Sequence, residues 1–178
     1  DIINLSLGSS QATNAERDAV AAAIAAGVII VAAAGNESVS TPFYPAAYDG
    51  VIGVSASTIT GNKAYYSNFG SYIDIAAPGG DLTAGQSFGI LSTYVDGYQS
   101  GSTDTRRSTY GFLQGTSMAA PHVAGVIALM KAVHPDLTGD QVTALISECK
   151  ITSKNGGTCT RDNNLGHGVI DAYLAVTA

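Results

Sequence analysis

Short runs of apolar residues alternate with Ala-rich segments along the chain. The runs at residues 2–6, 28–33, 51–55 and 73–76 predict strands, and several of them are apolar at every position. Helical patterns lie between and after these runs. Strand–helix–strand order with fully apolar strands predicts an α/β fold in three layers, in which helices flank a mostly parallel sheet.

Capping signals mark where two of the helices begin. Thr13 is followed three positions later by Glu16, and Thr138 by Gln141, which predicts capping boxes opening helices that end near Gly27 and Cys149. The remaining elements are a helix at residues 117–133 that is apolar all round and therefore predicted to be buried, a final short helix at 169–176, and a hairpin formed by residues 90–94 and 109–114 around an exposed loop.

Composition narrows the classes of partner. The chain has 178 residues, is 46% hydrophobic and 12% charged, and carries a net charge of -6, which suits one domain with a substantial core. An acidic chain without a basic patch is not expected to bind nucleic acid. Pro121 and His122 interrupt the longest apolar segment, so we predict no membrane-spanning helix.

Small residues surround one serine in the stretch Gly-Thr-Ser-Met-Ala-Ala-Pro-His-Val-Ala-Gly at residues 115–125. They would let a peptide backbone approach the Ser117 hydroxyl. The following helix accepts Pro121 in its first turn and places Ser117 at the positive end of the helix dipole, which favours a developing oxyanion. The commoner role for serine before a helix is that of an N-cap.

Two more segments matter beside this motif. The apolar run 28–34 ends in Gly35-Asn36, where Asn36 alone would be an ordinary strand-end turn residue. Residues 1–8 begin with a strand. In this order, the segments 1–8, 28–36 and 115–125 resemble motifs of the subtilisin-like serine proteases of the S8 type. The resemblance continues to Ala178, so residues 1–178 are similar to the C-terminal part of one such catalytic domain.

The resemblance implies a serine endopeptidase that acts on proteins and peptides through an acyl-enzyme. It makes Ser117 the nucleophile and Asn36 an oxyanion donor, assisted by Thr116. It also implies a primary specificity pocket whose floor is the loop 42–46, with a candidate cis bond between Tyr44 and Pro45. The implied substrate-binding residues are Ser6, Leu7 and Gly8 on one wall, Ala33, Ala34 and Gly35 on the other, and Phe43 in the floor.

A serine nucleophile needs a base, and the base needs an orienting carboxylate. The family's Asp and His motifs do not occur in this sequence. His122 lies about 140° round the helix from Ser117, His134 precedes Pro135 at a helix end, and His167 sits between two glycines in a turn. We therefore expect the Asp and His to come from an upstream segment or a second chain, without which the fold is incomplete.

Two other functional classes stay open. One is a pseudoprotease scaffold that has lost its base. The other is a different serine hydrolase such as an esterase, against which the absence of a Gly-x-Ser-x-Gly elbow counts.

Cys149 and Cys159 flank an Asn-Gly-Gly turn signal. Because the resemblance implies a secreted, extracellular protein, we predict a disulfide rather than two free thiols. A metal pair would lack further ligands at zinc spacing. The resemblance also implies structural calcium, for which Asp74 is the best local carboxylate, although the metal sites themselves stay unknown.

Overall fold

The computed structural model of the protein describes residues 1–96, 107–153 and 157–178. Its strands are β1 (Ile2–Leu5), β2 (Ile29–Ala33), β3 (Val51–Ser57), β4 (Ile75–Pro78), β5 (Ile90–Asp96), β6 (Arg107–Leu113), β7 (Thr152–Ser153) and β8 (Val169–Ile170). Its helices are α1 (Asn14–Ala25), α2 (Thr116–Val133), α3 (Gly139–Ser147) and α4 (Ala172–Thr177).

Six strands form one mostly parallel sheet, as the alternating pattern predicts. The strand order is β1-β2-β3-β4-β8-β7, and only β7 runs antiparallel to its neighbour. The carboxyl ends of β1 and β2 lie side by side because Leu5 pairs with Ala32. Side chains after these two strands are therefore brought to the same edge of the sheet.

Helices cover both faces of the sheet, which confirms the three-layer prediction. Alternate residues of β2 point to opposite faces. Ile29 and Val31 pack in the larger cluster with Val123 and Ile127 of α2, whereas Ile30 packs in a second cluster with residues of α1. Both faces of β2 are buried, and this explains its unbroken apolar sequence.

The prediction that α2 is buried all round is wrong. One face packs on the sheet, but Leu129 and Val133 are each 53% exposed. By length and composition alone α2 is also apolar enough to cross a bilayer, contrary to the expectation drawn from its Pro and His. Its packing on β1 to β4 identifies it as the core helix of this fold.

The helix starts follow side-chain caps. Thr138 and Gln141 form the predicted reciprocal capping box. At α1 only half of the predicted box forms, because the Glu16 carboxylate accepts a hydrogen bond from the Tyr48 hydroxyl (2.9 Å) instead. The predicted helix 169–176 is wrong in its first part, since Val169 pairs with Ser153 in the sheet and α4 begins only after the Asp171 cap.

Two local predictions are confirmed. Strands β5 and β6 form an antiparallel hairpin, and residues 97–106, which join them, lie outside the described residues. Cys149 and Cys159 form a disulfide with their Cα atoms 5.6 Å apart. It joins the end of α3 to the segment that leads back toward β8.

Candidate active site

Ser117 lies in the first turn of α2 and is not its N-cap. That position belongs to Gly115, whose φ of 147° suits glycine. The Ser117 hydroxyl donates to the backbone oxygen of Ser6 (3.2 Å), and the Ser6 hydroxyl donates to the backbone oxygen of Ser117 (2.8 Å). These two bonds join the chain just after β1 to the start of α2.

The Asn36 side chain faces the same turn. Its Oδ1 accepts hydrogen bonds from the backbone N–H (2.8 Å) and the hydroxyl (3.0 Å) of Thr116. Two donors hold the oxygen end of the amide, so Nδ2 is the end left to donate to a ligand. Thr116 is buried, and its hydroxyl also accepts from Gly35 N–H (3.1 Å). Thr116 therefore orients the Asn36 amide.

Tyr66 hydrogen-bonds to the turn that begins α2. Its buried hydroxyl accepts from Gly115 N–H (3.0 Å) and lies within hydrogen-bond distance of the backbone oxygens of Gly79 (2.8 Å) and Gly80 (2.9 Å). Burial raises the Tyr66 pKa to about 12, so the hydroxyl stays protonated and able to donate even in the alkaline range. The sequence analysis missed this residue, because a tyrosine in a turn-rich segment carries no signal of a buried hydroxyl.

The analysis also missed Asn68. This side chain is fully buried and hydrogen-bonds to the loop that carries Asn36. Its sequence context, Tyr-Ser-Asn-Phe-Gly, is typical of an exposed turn. Only the burial of the segment between β3 and β4 distinguishes it from a surface asparagine.

The two predicted substrate-binding segments lie at the carboxyl ends of the neighbouring strands β1 and β2. Ser6, Leu7 and Gly8 follow β1, and Leu7 is 57% exposed. On the other side Ala33 and Ala34 are buried together with Gly35, so this wall offers mainly backbone. The two segments are held at one edge by the pairing of β1 with β2.

The loop 42–46 is hydrogen-bonded to the chain just after residues 6–8. Backbone hydrogen bonds join Ser9 and Tyr44 in both directions (2.8 and 2.7 Å), and the Tyr44–Pro45 bond is cis, as predicted. The Phe43 ring lies against Gly8, where an added Cβ would come within 2.5 Å of Phe43 Cε1. The ring therefore occupies the side of the loop that faces residues 6–8.

None of the three histidines, all of which lie in the described part of the chain, hydrogen-bonds to Ser117. The ring of His122 is 2.7 Å from the backbone oxygen of Met118, and His134 caps the end of α2. His167 is at the far end of the sheet beside β8, where burial and then the charge of Arg161 lower its pKa. A cavity does open at Ser117, lined by Ile90, Leu91, Ser92, Met118, Pro121 and His122.

The Asp74 side chain makes a structural hydrogen bond at β3. One carboxylate oxygen accepts from Gly53 N–H (2.8 Å), and burial raises its pKa against the opposing effects of that bond and of Arg161. Within residues 1–96, 107–153 and 157–178, no group of three or more His, Cys, Asp or Glu side chains could hold a metal ion. Calcium takes six to eight oxygen ligands, which include backbone carbonyls and water, and Asp74 would supply one carboxylate of such a set.

Comparison with known proteins identifies the family of this chain. The sequence profile of the subtilase family matches residues 1–168. The chain belongs to the subtilase family. It is 39% identical to an extracellular protease of Xanthomonas campestris over its whole length and 28% of that protein, and 39% identical to subtilisin DY of Bacillus licheniformis over 83% of the chain and 48% of that protein.

The fold is also that of subtilases. A protease structure from Pseudoalteromonas arctica superposes with a TM-score of 0.85 at 41% identity, covering 99% of the chain and 50% of that structure. A lanthipeptide protease superposes with a TM-score of 0.82 at 27% identity over 99% of the chain and 60% of that protein. The chain thus spans between about a quarter and three fifths of the length of these relatives.

Proposed function

We propose that residues 1–178 form the C-terminal part of one subtilisin-like catalytic domain and supply the nucleophile and the oxyanion donors of a serine endopeptidase. The observation that carries this proposal is the Asn36 amide. Two hydrogen bonds from Thr116 hold its oxygen end next to the turn that begins α2, and its Nδ2 remains as a donor. A donor fixed in this way suits the charge that develops in acyl transfer.

In the proposed reaction the Ser117 hydroxyl attacks the carbonyl carbon of the scissile peptide bond. A base takes the hydroxyl proton, and the carbonyl oxygen becomes an oxyanion that accepts from Asn36 Nδ2 and from the Ser117 backbone N–H. Collapse breaks the C–N bond, and the protonated base gives its proton to the leaving amine. Water then hydrolyses the acyl-enzyme by the same steps. In the structure the Ser117 hydroxyl donates to the backbone oxygen of Ser6. This hydrogen bond must break before the base can accept the hydroxyl proton.

We infer that the Asp and His come from an upstream part of the same catalytic domain or from a second chain. Two features of the molecule support this partner. A cavity lies at Ser117, and Ile90, Leu91 and Pro121 are among the residues that line it. In addition, β1 is an edge strand of the sheet, and an edge strand can pair with a strand of a partner. The side chain of its Ile3 is 41% exposed.

The same assignment extends to location and metal. We infer an extracellular enzyme, since the Xanthomonas relative is named as extracellular and a disulfide suits an oxidising compartment. Calcium is proposed on family membership alone, with Asp74 as the candidate carboxylate.

Hydrolysis of a chromogenic peptide tests the proposal. We expect the complete enzyme to be active and Ser117→Ala to abolish the activity. Residues 1–178 alone are expected to be inactive, because a serine hydroxyl without a base is a weak nucleophile. Activity of residues 1–178 that is lost in Ser117→Ala would contradict the need for a partner. A complete protein without activity would favour the pseudoprotease alternative.

A further inference from the structure

The loop that carries Asn36 is built around the buried side chain of Asn68. Asn68 Oδ1 accepts from the backbone N–H groups of Glu37 (2.9 Å) and Val39 (3.2 Å). Its Nδ2 donates to the backbone oxygen of Ala34 (3.0 Å) and to the Glu37 carboxylate (2.8 Å). The amide thus makes four hydrogen bonds, which is its full capacity.

All four bonds reach residues on either side of Asn36. The backbone of Asn68 adds a fifth contact, because its N–H donates to the backbone oxygen of Gly35 (3.0 Å). Glu37 closes the network, since the carboxylate oxygen that accepts from Asn68 also accepts from the Asn36 backbone N–H (2.9 Å). The loop is therefore fixed both before and after the proposed oxyanion donor.

The backbone at Gly35 is shaped to admit this side chain. A Cβ at Gly35 would overlap Asn68 Nδ2, and the φ of 100° is one that residues with a Cβ rarely adopt. Asn68 itself is 0% exposed. A buried amide with all of its hydrogen bonds made gives its surroundings one defined geometry.

We propose that Asn68 is a positioning residue that acts on the chemistry through Asn36. It holds residues 34–39 so that Asn36 meets Thr116 and presents Nδ2 toward the oxyanion before substrate binds. This inference rests on the proposed function. It adds that the precision of the oxyanion site depends on a residue outside the site and between β3 and β4.

The test is a double-mutant cycle in the complete enzyme. Asn68→Ala should lower kcat roughly 10–100-fold with little change in KM, because a donor displaced by about 1 Å loses most of its effect on the transition state. In an Asn36→Ala background the same substitution should have almost no further effect on kcat. An equal loss of kcat in both backgrounds would overturn the proposal, since it would mean a general structural role.

Two further variants keep the test decisive. Asn68→Ser keeps a short polar side chain and places no second carboxylate beside Glu37, so the cycle can be run with it if Asn68→Ala does not fold. Thr152→Ala removes a different buried side chain, whose hydroxyl donates to the His167 backbone oxygen (2.8 Å) away from this loop. It should lower the melting temperature and leave kcat unchanged. A parallel fall in kcat in Thr152→Ala would show that lost stability alone accounts for the Asn68 effect.

Adding Ser117→Ala to the same assay separates this inference from the proposed function. If Ser117→Ala leaves hydrolysis unchanged, the proposed function is wrong. If Ser117→Ala and Asn36→Ala both abolish or reduce hydrolysis while Asn68→Ala matches the wild type, only the role of Asn68 is wrong.

Discussion

Replacing Asn36 with alanine should slow the chemical step of the complete enzyme and leave substrate binding nearly unchanged. Asn36 Nδ2 is expected to donate strongly only when negative charge develops on the carbonyl oxygen, so the bond acts on the transition state. Removal of one oxyanion donor in subtilisin, a relative of this chain, lowers kcat about 10²–10³-fold, or about 2.7–4 kcal/mol, and we take this magnitude from that enzyme.

The structure predicts a second effect of Asn36→Ala, on stability. The backbone N–H and the hydroxyl of Thr116 both donate to Asn36 Oδ1, and Thr116 is buried. Each buried donor left without an acceptor costs about 1–3 kcal/mol. Kinetics should therefore be measured well below the melting temperature, which should itself fall.

The assay is steady-state hydrolysis of a peptide substrate, with kcat and KM determined separately. Asn62→Ala is a matched control, because Asn62 is an exposed asparagine whose side-chain amide donates to the Thr60 hydroxyl (3.1 Å), away from the candidate site. It should leave both constants unchanged. A raised KM with an unchanged kcat in Asn36→Ala would refute the assignment of Asn36 to the oxyanion.

Three further outcomes are expected of the complete enzyme. Because the Phe43 ring lies against Gly8, Phe43→Gly should raise kcat/KM for Phe relative to Ala at P1; an unchanged ratio across an Ala, Leu and Phe series would show that the ring does not limit the pocket. Reducing the Cys149–Cys159 disulfide should lower the free energy of unfolding by about 2–3 kcal/mol for a loop of this size and leave kcat unchanged; equal denaturation midpoints with and without reductant would contradict this. The pKa of Tyr66 is raised to about 12, against 10 in the unfolded chain, so the protonated hydroxyl contributes stability that is present below pH 10 and lost as the pH rises through 12. Tyr66→Phe should therefore flatten the fall in melting temperature at alkaline pH. An identical pH profile in the variant and the wild type would contradict this role of Tyr66.

The sequence predicts the sheet and its layers well because burial on both faces leaves a direct pattern. Ile29, Ile30 and Val31 are apolar in succession, and the structure confirms that alternate residues pack against opposite layers. The failures are also physical. Pattern alone assigns residues 169–176 to a helix, whereas pairing of Val169 with Ser153 and the Asp171 cap decide the boundary.

Around the candidate site the sequence indicates the residues that resemble motifs and misses those that hold them. Ser117 and Asn36 stand in recognisable segments, and their assigned roles remain predictions. Tyr66 and Asn68 act through contacts with residues 49 and 31 positions away, such as Gly115 and Glu37. No local pattern reports such contacts, since a buried hydroxyl or amide looks the same in sequence as an exposed one.

The central claim is that Ser117 is a nucleophile activated by a base outside residues 1–178. Its most direct test is covalent labelling with an aryl phosphonate, followed by mass spectrometry of the modified peptide. We expect the complete enzyme to be labelled at Ser117, the Ser117→Ala variant to stay unlabelled, and residues 1–178 alone to react far more slowly. Labelling at another serine, or equally fast labelling of residues 1–178 without a partner, would contradict the account.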